Sequence, residues 1–324
     1  MDIIFPVLLF GFGLYFIVKG GNFLVDSALN LTKTSGVSPV TVGATLVAVA
    51  TAIPEIFISV FAVVSGNHGI AVGNSVGTMI ANFALVFGIY AVARPKAINR
   101  RELHDKIIFM LIAFAVLFLF ASGMRFSFLD GMILLGLFFV FIVWSTFRKN
   151  PTVSEGGIVA ETPVRDKTPL KKIIFGFIVA QIFLMLGAFL LVRNGEAIAT
   201  MTGASQTVIG FSIIALGNAA PELVTVIASI KRGNGGLAMG SLIGANIINT
   251  TLLIGLCSVI GAATGDALTI SAQTLWVSLP VLFGIATVAV VPVMLRGKTS
   301  RLQGVFLISL YIVYLTYLFV LQPT

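Results

Sequence analysis

Glu55 and Glu222 carry the first chemistry that this chain suggests. Each follows a proline, in ATAIPE (residues 50–55) and GNAAPE (residues 217–222), and each sits well inside an apolar run. The other ten of the 12 acidic residues (Asp2, Asp26, Glu102, Asp105, Asp130, Glu155, Glu161, Asp166, Glu196 and Asp266) lie in connections or near the ends of apolar runs. A carboxylate at mid-bilayer costs several kcal/mol unless it meets a partner or a water-filled cavity. No Lys, Arg or His lies deep in an apolar run to neutralise the pair, so the two glutamates call for a bound cation or for protons. A divalent cation satisfies both charges at once.

The prolines add oxygen ligands. Pro54 and Pro221 each remove a backbone N–H and clash with the carbonyl four residues earlier, at Ala50 and Gly217. Helices broken there would free the carbonyls around Thr51 and Asn218 to face a cavity, which is tolerated at membrane depth only where something satisfies them. Carboxylates with carbonyl oxygens are hard-cation ligands, suited to Ca2+ more than to Zn2+ or copper. The plainer reading is a proline kink with two protonated glutamates hydrogen-bonded between helices, and it leaves the paired placement unexplained. Asn82 and Asn249 each follow their glutamate by 27 residues. Their amides offer an oxygen without charge. Either one alone reads as interhelical glue, whereas a symmetric pair beside the carboxylates reads as lining of the site. Gly73/Gly77 and Gly240/Gly244 have small-xxx-small spacing, which predicts close helix packing. His68 and His104 fall in connections and Cys257 in an apolar run, and no chemistry is expected of them.

The elements that must hold these residues are membrane helices. Of 324 residues, 58% are apolar and 10% charged, and the mean hydropathy is +1.08. A soluble domain carries about 25% charged residues, so this composition excludes a cytosolic or secreted enzyme and a disordered chain. A bilayer core about 30 Å thick takes about 20 apolar residues per helix. The apolar runs predict ten spans, near residues 4–25, 37–65, 70–93, 105–123, 128–147, 171–192, 205–230, 236–262, 274–295 and 303–321. Only Met1 and Asp2 precede the first, so it lacks the basic region of a cleavable signal peptide and is expected to stay as a helix. Counted by connection, 18 of the 20 Lys and Arg fall on one side; Arg125 and Arg193 fall on the other. Basic connections stay cytoplasmic, which predicts a multi-pass cell-membrane protein with both termini outside and the loop 148–172 inside. The +8 net charge then reports topology, with no role for nucleic acid. No cofactor and no obligatory protein partner is expected beyond lipid and inorganic cations.

The chain also repeats itself. At an offset of 167 residues, Ser38–Gly88 aligns with Ser205–Gly255 over 51 positions without a gap, and 16 are identical. The identities include the Pro-Glu pair, six glycines and Asn82/Asn249, which similar apolar runs would not share by chance. This predicts a first five-helix repeat over 1–147, a linker over 148–172 and a second repeat over 173–324. Five spans is an odd number, so the halves are inverted about an axis in the membrane plane. Transporters with this symmetry bind substrate near the midplane.

Two inverted repeats, each with Pro-Glu followed by a Gly-rich, Asn-bearing helix (GNSVGTMIAN at 73–82, GSLIGANIIN at 240–249), resemble the α-repeats of the calcium/cation antiporter superfamily, and most closely prokaryotic sodium/calcium exchangers. The resemblance spans nearly the whole chain. It implies four central helices around a diamond of cation sites. Its calcium site corresponds to the carboxylates of Glu55 and Glu222 with the carbonyls of Thr51 and Asn218. Its sodium sites correspond to Ala48, Thr51, Ala52, Thr78, Asn82, Ala215, Ala219, Ala245 and Asn249. The family generally reads Gly-Thr-Ser-x-Pro-Glu in both repeats, whereas this chain has Ala52, Asn218 and Ala219, and Ala245 also lacks the usual hydroxyl. The expected activity is secondary antiport of Ca2+ for Na+ by alternating access. A Ca2+/H+ or broader cation/H+ exchanger is the alternative, because GNAAPE is also similar to the Gly-Asn-Ala-x-Glu of cation/proton exchangers and the Glu pair could carry protons itself. A cation channel is a remoter reading, since no selectivity-filter run is present. An embedded enzyme lacks a deep His and a Gly-x-Ser-x-Gly elbow.

Overall fold

The computed structural model describes residues 3–93, 100–147, 168–201 and 215–320. They form ten helices: α1 Ile4–Ser35, α2 Pro39–Val64, α3 His68–Ala93, α4 Arg100–Ala121, α5 Phe128–Phe147, α6 Leu170–Met201, α7 Ala215–Lys231, α8 Gly235–Ala263, α9 Thr274–Arg296 and α10 Arg301–Val320. Nine are long and apolar enough to cross a membrane. The tenth, α7, is described only from Ala215, so the start of the expected span 205–230 lies outside the described residues, as does most of the 148–172 linker. Among the described residues the only β-type pairing is one bridge, Arg125 with Thr269. The chain is an all-α, multi-pass membrane protein.

Two helices outrun their apolar windows. α1 continues ten residues past the expected end at 25, and α6 nine past 192. Charged side chains end a hydropathy run without ending a helix, provided they find water or a partner. Asp26 on α1 accepts from Arg232, just beyond α7, with Nη2 2.8 Å from Oδ2. Lys19, counted with the basic connections although it falls inside the expected span 4–25, lies within α1 on an exposed face with its ammonium 5.7 Å from the Tyr15 ring centre. α1 stops where Gly36 takes φ +74 and its N–H closes on Thr32 O, a left-handed cap that glycine adopts without a Cβ penalty. Lys106 and the two histidines are also helical rather than in connections. Lys106 is 2% exposed and donates to Thr41 Oγ1 at 3.3 Å, with Glu102 beside it and beside Ser38. His68 opens α3, its Nε2 3.3 Å from Asp266, and His104 lies in α4.

The architecture is built around α3 and α8. Of their apolar windows 72% and 78% is buried, against 22% for α5, α6 and α10, which therefore form the lipid-facing rim. The packing has the two-fold pattern of a duplicated chain. α10 packs on the second half of α3, and α5 on the second half of α8. At these contacts the repeat mates Gly88 and Gly255 each leave room for a backbone carbonyl, that of Gly304 and of Gly131 respectively.

The helices run unbroken through Pro54 and Pro221, contrary to the expected breaks. One proline deletes one hydrogen bond, and the flanking turns with their packed neighbours carry the helix across the gap. The irregular backbone lies elsewhere, in π-turns at Gly43–Val47, Asn82–Val86, Asn249–Leu253 and Thr274–Ser278. Two of these begin at the repeat-mate asparagines.

Among the described residues the close packing expected of the glycine spacing is seen for the second repeat. A Cβ on Gly240 or Gly244 would strike the Val40 or Ala44 carbonyl of α2, so this face of α8 admits no side chain. Gly73 and Gly77 meet no described atom at that distance and instead line a cavity. Overpacking a close contact costs about 1–3 kcal/mol, so Gly244→Val should lower the thermal unfolding midpoint of the detergent-purified protein by several degrees. Gly136→Ala, at an exposed position of α5 with nothing within 4 Å, should leave it unchanged.

Candidate cation site

Glu55 on α2 and Glu222 on α7 are 2% and 4% exposed. The structure brings them close enough for the Glu222 charge to act on Glu55, and Asn249 and Thr78 flank the Glu55 carboxylate. Thr51 flanks Glu222, whose carboxylate also lies against its own backbone N–H. The arrangement crosses the repeats: Asn249 of the second half attends the first-half glutamate, and Thr51 of the first half attends the second-half glutamate. Pro54 and Pro221 place both carboxylates one residue beyond a missing backbone N–H.

Among the described residues, none of the four carboxylate oxygens has a hydrogen-bond partner at bonding geometry, and neither do the amide atoms of Asn82 and Asn249. Most buried polar atoms in native proteins are paired, and eight orphans on four symmetry-related side chains mark a place shaped for a ligand. Among the described residues no basic side chain neighbours either carboxylate, and no three His, Cys, Asp or Glu side chains converge. Two anionic and several neutral oxygens form the donor set of a hard cation.

The remaining expected positions divide. Thr78 is buried, and Thr51 donates its hydroxyl to Ala48 O at 3.2 Å, leaving its lone pairs free. Ala48, Ala52 and Ala245 pack on one another and on Ile248, so this flank presents hydrocarbon where hydroxyls were looked for. Ala219 is buried too. Ala215 opens α7, and its side chain lies outside the described residues. Asn218 is half-buried and donates from Nδ2 to Asn74 Oδ1 at 3.0 Å. With Asn74, Thr78, Gly73 and Gly77 it lines a cavity of about 700 Å³ that continues to the hydroxyls of Ser278 and Tyr314, themselves 3.0 Å apart.

Several polar residues at this depth had escaped the sequence reading. Asn74 donates to Ser59 Oγ at 3.0 Å, Ser75 donates to Asn249 O at 3.1 Å, and Asn246 and Thr225 are fully buried, each with one unpartnered oxygen. Each is a polar residue in an apolar run, which was a readable signal. Asking for a like residue 167 positions away discarded them, because their mates are Ser241 for Asn74, Met79 for Asn246 and Ile58 for Thr225.

Comparison with known proteins bears on this geometry. The family model for "sodium/calcium exchanger protein" matches residues 5–147 and 172–320. The inner membrane protein YrbG of Escherichia coli is 29% identical over 316 residues, covering 93% of this chain and 94% of the relative. The sodium/calcium exchanger MaX1 of Methanosarcina acetivorans is 28% identical over 342 residues, covering 95% and 96%. The structure of the sodium-calcium exchanger NCX_Mj, from a crystal soaked in 10 mM Na+ without Ca2+, superposes with a TM-score of 0.80 at 26% identity over 98% of this chain and 100% of that one.

A ligand that binds only the folded state stabilises it by about 2.7 kcal/mol at a hundred times its Kd. Adding CaCl2 to the purified protein should therefore raise its unfolding midpoint. Glu55→Gln and Glu222→Gln, which keep shape and remove charge, should abolish that rise. A full rise in both variants would put the cation elsewhere.

Proposed function

Because the chain belongs to the sodium/calcium exchanger protein family, we propose that it is a secondary antiporter that exchanges Ca2+ for Na+ by alternating access, with Ca2+ held between Glu55 and Glu222. One observation carries this reading: two buried carboxylates with no basic side chain beside them among the described residues, flanked by Thr78 and Asn249 at Glu55 and by Thr51 at Glu222. Asn82 and Asn218 complete the donor set in this proposal. Burying one uncompensated charge is costly, and burying two of like sign more so. An empty site is thus the least favourable state to enclose within the membrane. A site occupied by Ca2+, or by monovalent ions that share the same oxygens, can be enclosed. That difference makes the protein an exchanger rather than a leak: the barrier to reorientation is low only when an ion is carried in one direction or the other.

Na+ as counter-ion is supported by the names of MaX1 and NCX_Mj and by oxygens enough for more than one small cation. A second reading, with H+ as counter-ion, is favoured by the hydrocarbon flank of Ala48, Ala52 and Ala245, which supplies no side-chain oxygen to Na+. In that case the glutamates carry the protons themselves. Reorientation by sliding of α1 and α6 across the core suits their long mutual contact, where Gly13 and Gly187 let the backbones approach. The excess of Lys and Arg on one side supports an orientation with both termini outside and residues 148–172 in the cytoplasm.

Radioactive calcium uptake into proteoliposomes separates the two counter-ions. With Na+ inside and none outside, uptake should accelerate at least tenfold over Na+-free vesicles and persist when a proton ionophore clamps the pH difference. Uptake driven by an outward proton gradient and indifferent to internal Na+ would overturn the sodium reading. Single-channel steps in a planar bilayer would overturn both.

A further inference from the structure

The hydrogen bonds around Asn74 form a chain whose polarity is fixed at both ends by backbone carbonyls, which only accept. Ser59 lies fully buried on α2, and its hydroxyl donates to Ala71 O at 3.5 Å. Its single proton is thereby used, so its oxygen must accept, and it does so from Asn74 Nδ2 at 3.0 Å. The other proton of that NH2 faces Glu55 O at 3.4 Å. With both Asn74 protons committed, its Oδ1 can only accept, and it accepts from Asn218 Nδ2 at 3.0 Å. An amide that turns its nitrogen toward one neighbour turns its oxygen away from it.

We propose that Asn74 is a positioning residue: it sets the orientation of the Asn218 amide across the interface between the repeats, so that Asn218 offers its oxygen, rather than its NH2, to a cation in the cavity that both line together with Thr78, the residue that flanks Glu55. The inference rests on the cation-transport reading of that cavity.

The two repeats solve the same problem differently. At the mate of Asn218, Thr51 is oriented by its own helix, through its bond to Ala48 O. A hydroxyl keeps lone pairs available at any rotation, so it needs no outside help. At the mate of Asn74, Ser241 likewise turns to its own helix and donates to Ala238 O at 2.9 Å. At this pair of positions the partner in trans serves Asn218, whose side chain has two chemically opposite ends. A flipped Asn218 would present two N–H dipoles to a cation, and the same side chain would repel what it now attracts.

The test measures Ca2+ half-saturation and maximal rate of exchange in proteoliposomes for Asn74→Leu alone, for Asn218→Thr as a second background, and for the double variant. In the native background Asn74→Leu should raise the half-saturating Ca2+ about tenfold, with a smaller change in maximal rate. In the Asn218→Thr background, whatever its own affinity, Asn74→Leu should change half-saturation less than twofold, because a threonine hydroxyl needs no orienting partner. Equal effects in the two backgrounds, or none in the native one, would overturn the proposal and leave Asn74 a packing residue. If Asn74→Leu fails to elute as a folded monodisperse protein, Asn74→Ala is measured against the same two expectations. Absence of Ca2+ exchange by the unaltered protein would refute the transport reading itself, a result distinct from either outcome for Asn74.

Discussion

Everything central in this structure answers to one constraint, that two carboxylates are buried within the membrane helices with no basic side chain beside either among the described residues. Burial at Glu55 and Glu222 weakens the screening of charge, so every nearby oxygen counts. The constraint accounts for two repeat-mate amides lying on the most buried helices. Asn82 on α3 and Asn249 on α8 are fully enclosed on the two helices that lipid touches least. It also gives the π-turns at Asn82–Val86 and Asn249–Leu253 a reason. A π-turn widens the helix by one residue and is frequent at functional sites. Here it begins at the residue whose amide must reach inward.

A second layer of packing holds that centre in place. α8 lies against α2 so closely that Gly240 and Gly244 admit no side chain, while α5 and α10 brace the outer halves of α8 and α3 through glycine contacts. Long apolar side chains cover the rim, where lipid receives them, as with Phe139 on α5 and Phe175 on α6. Large apolar side chains also fill the core, Phe83, Phe87, Phe114 and Phe141 among them, so small residues mark the close helix contacts while large ones occupy both core and rim.

Much of this could be read from the residues alone. The ten apolar runs, the 167-residue offset and the isolation of Glu55 and Glu222 among the acids are all one-dimensional signals, and the structure places the two glutamates beside each other. Helix ends were less legible. α1 and α6 run on through Lys19, Asp26, Arg193 and Glu196, because a membrane helix ends where its backbone caps or loses packing and not where its hydropathy falls. The effect of the prolines was overread, since composition does not tell how far neighbouring helices will carry a strained turn. Asn74, Ser59 and Thr225 were hidden for a further reason: they serve one repeat only, and symmetry was the filter that made the other residues visible.

That last feature has an energetic consequence. In a chain built of two inverted, identical halves, exchanging the conformations of the halves turns the molecule over, and its two orientations have equal free energy by symmetry. Here Thr51 stands opposite Asn218, Thr78 opposite Ala245 and Asn74 opposite Ser241. Each mismatch makes a contact in one orientation that has no image in the other. Under the alternating-access reading, these mismatches remove the symmetry that would make the two orientations equal in free energy and the affinities equal from the two faces. The backbone is a palindrome, and the side chains give it a direction.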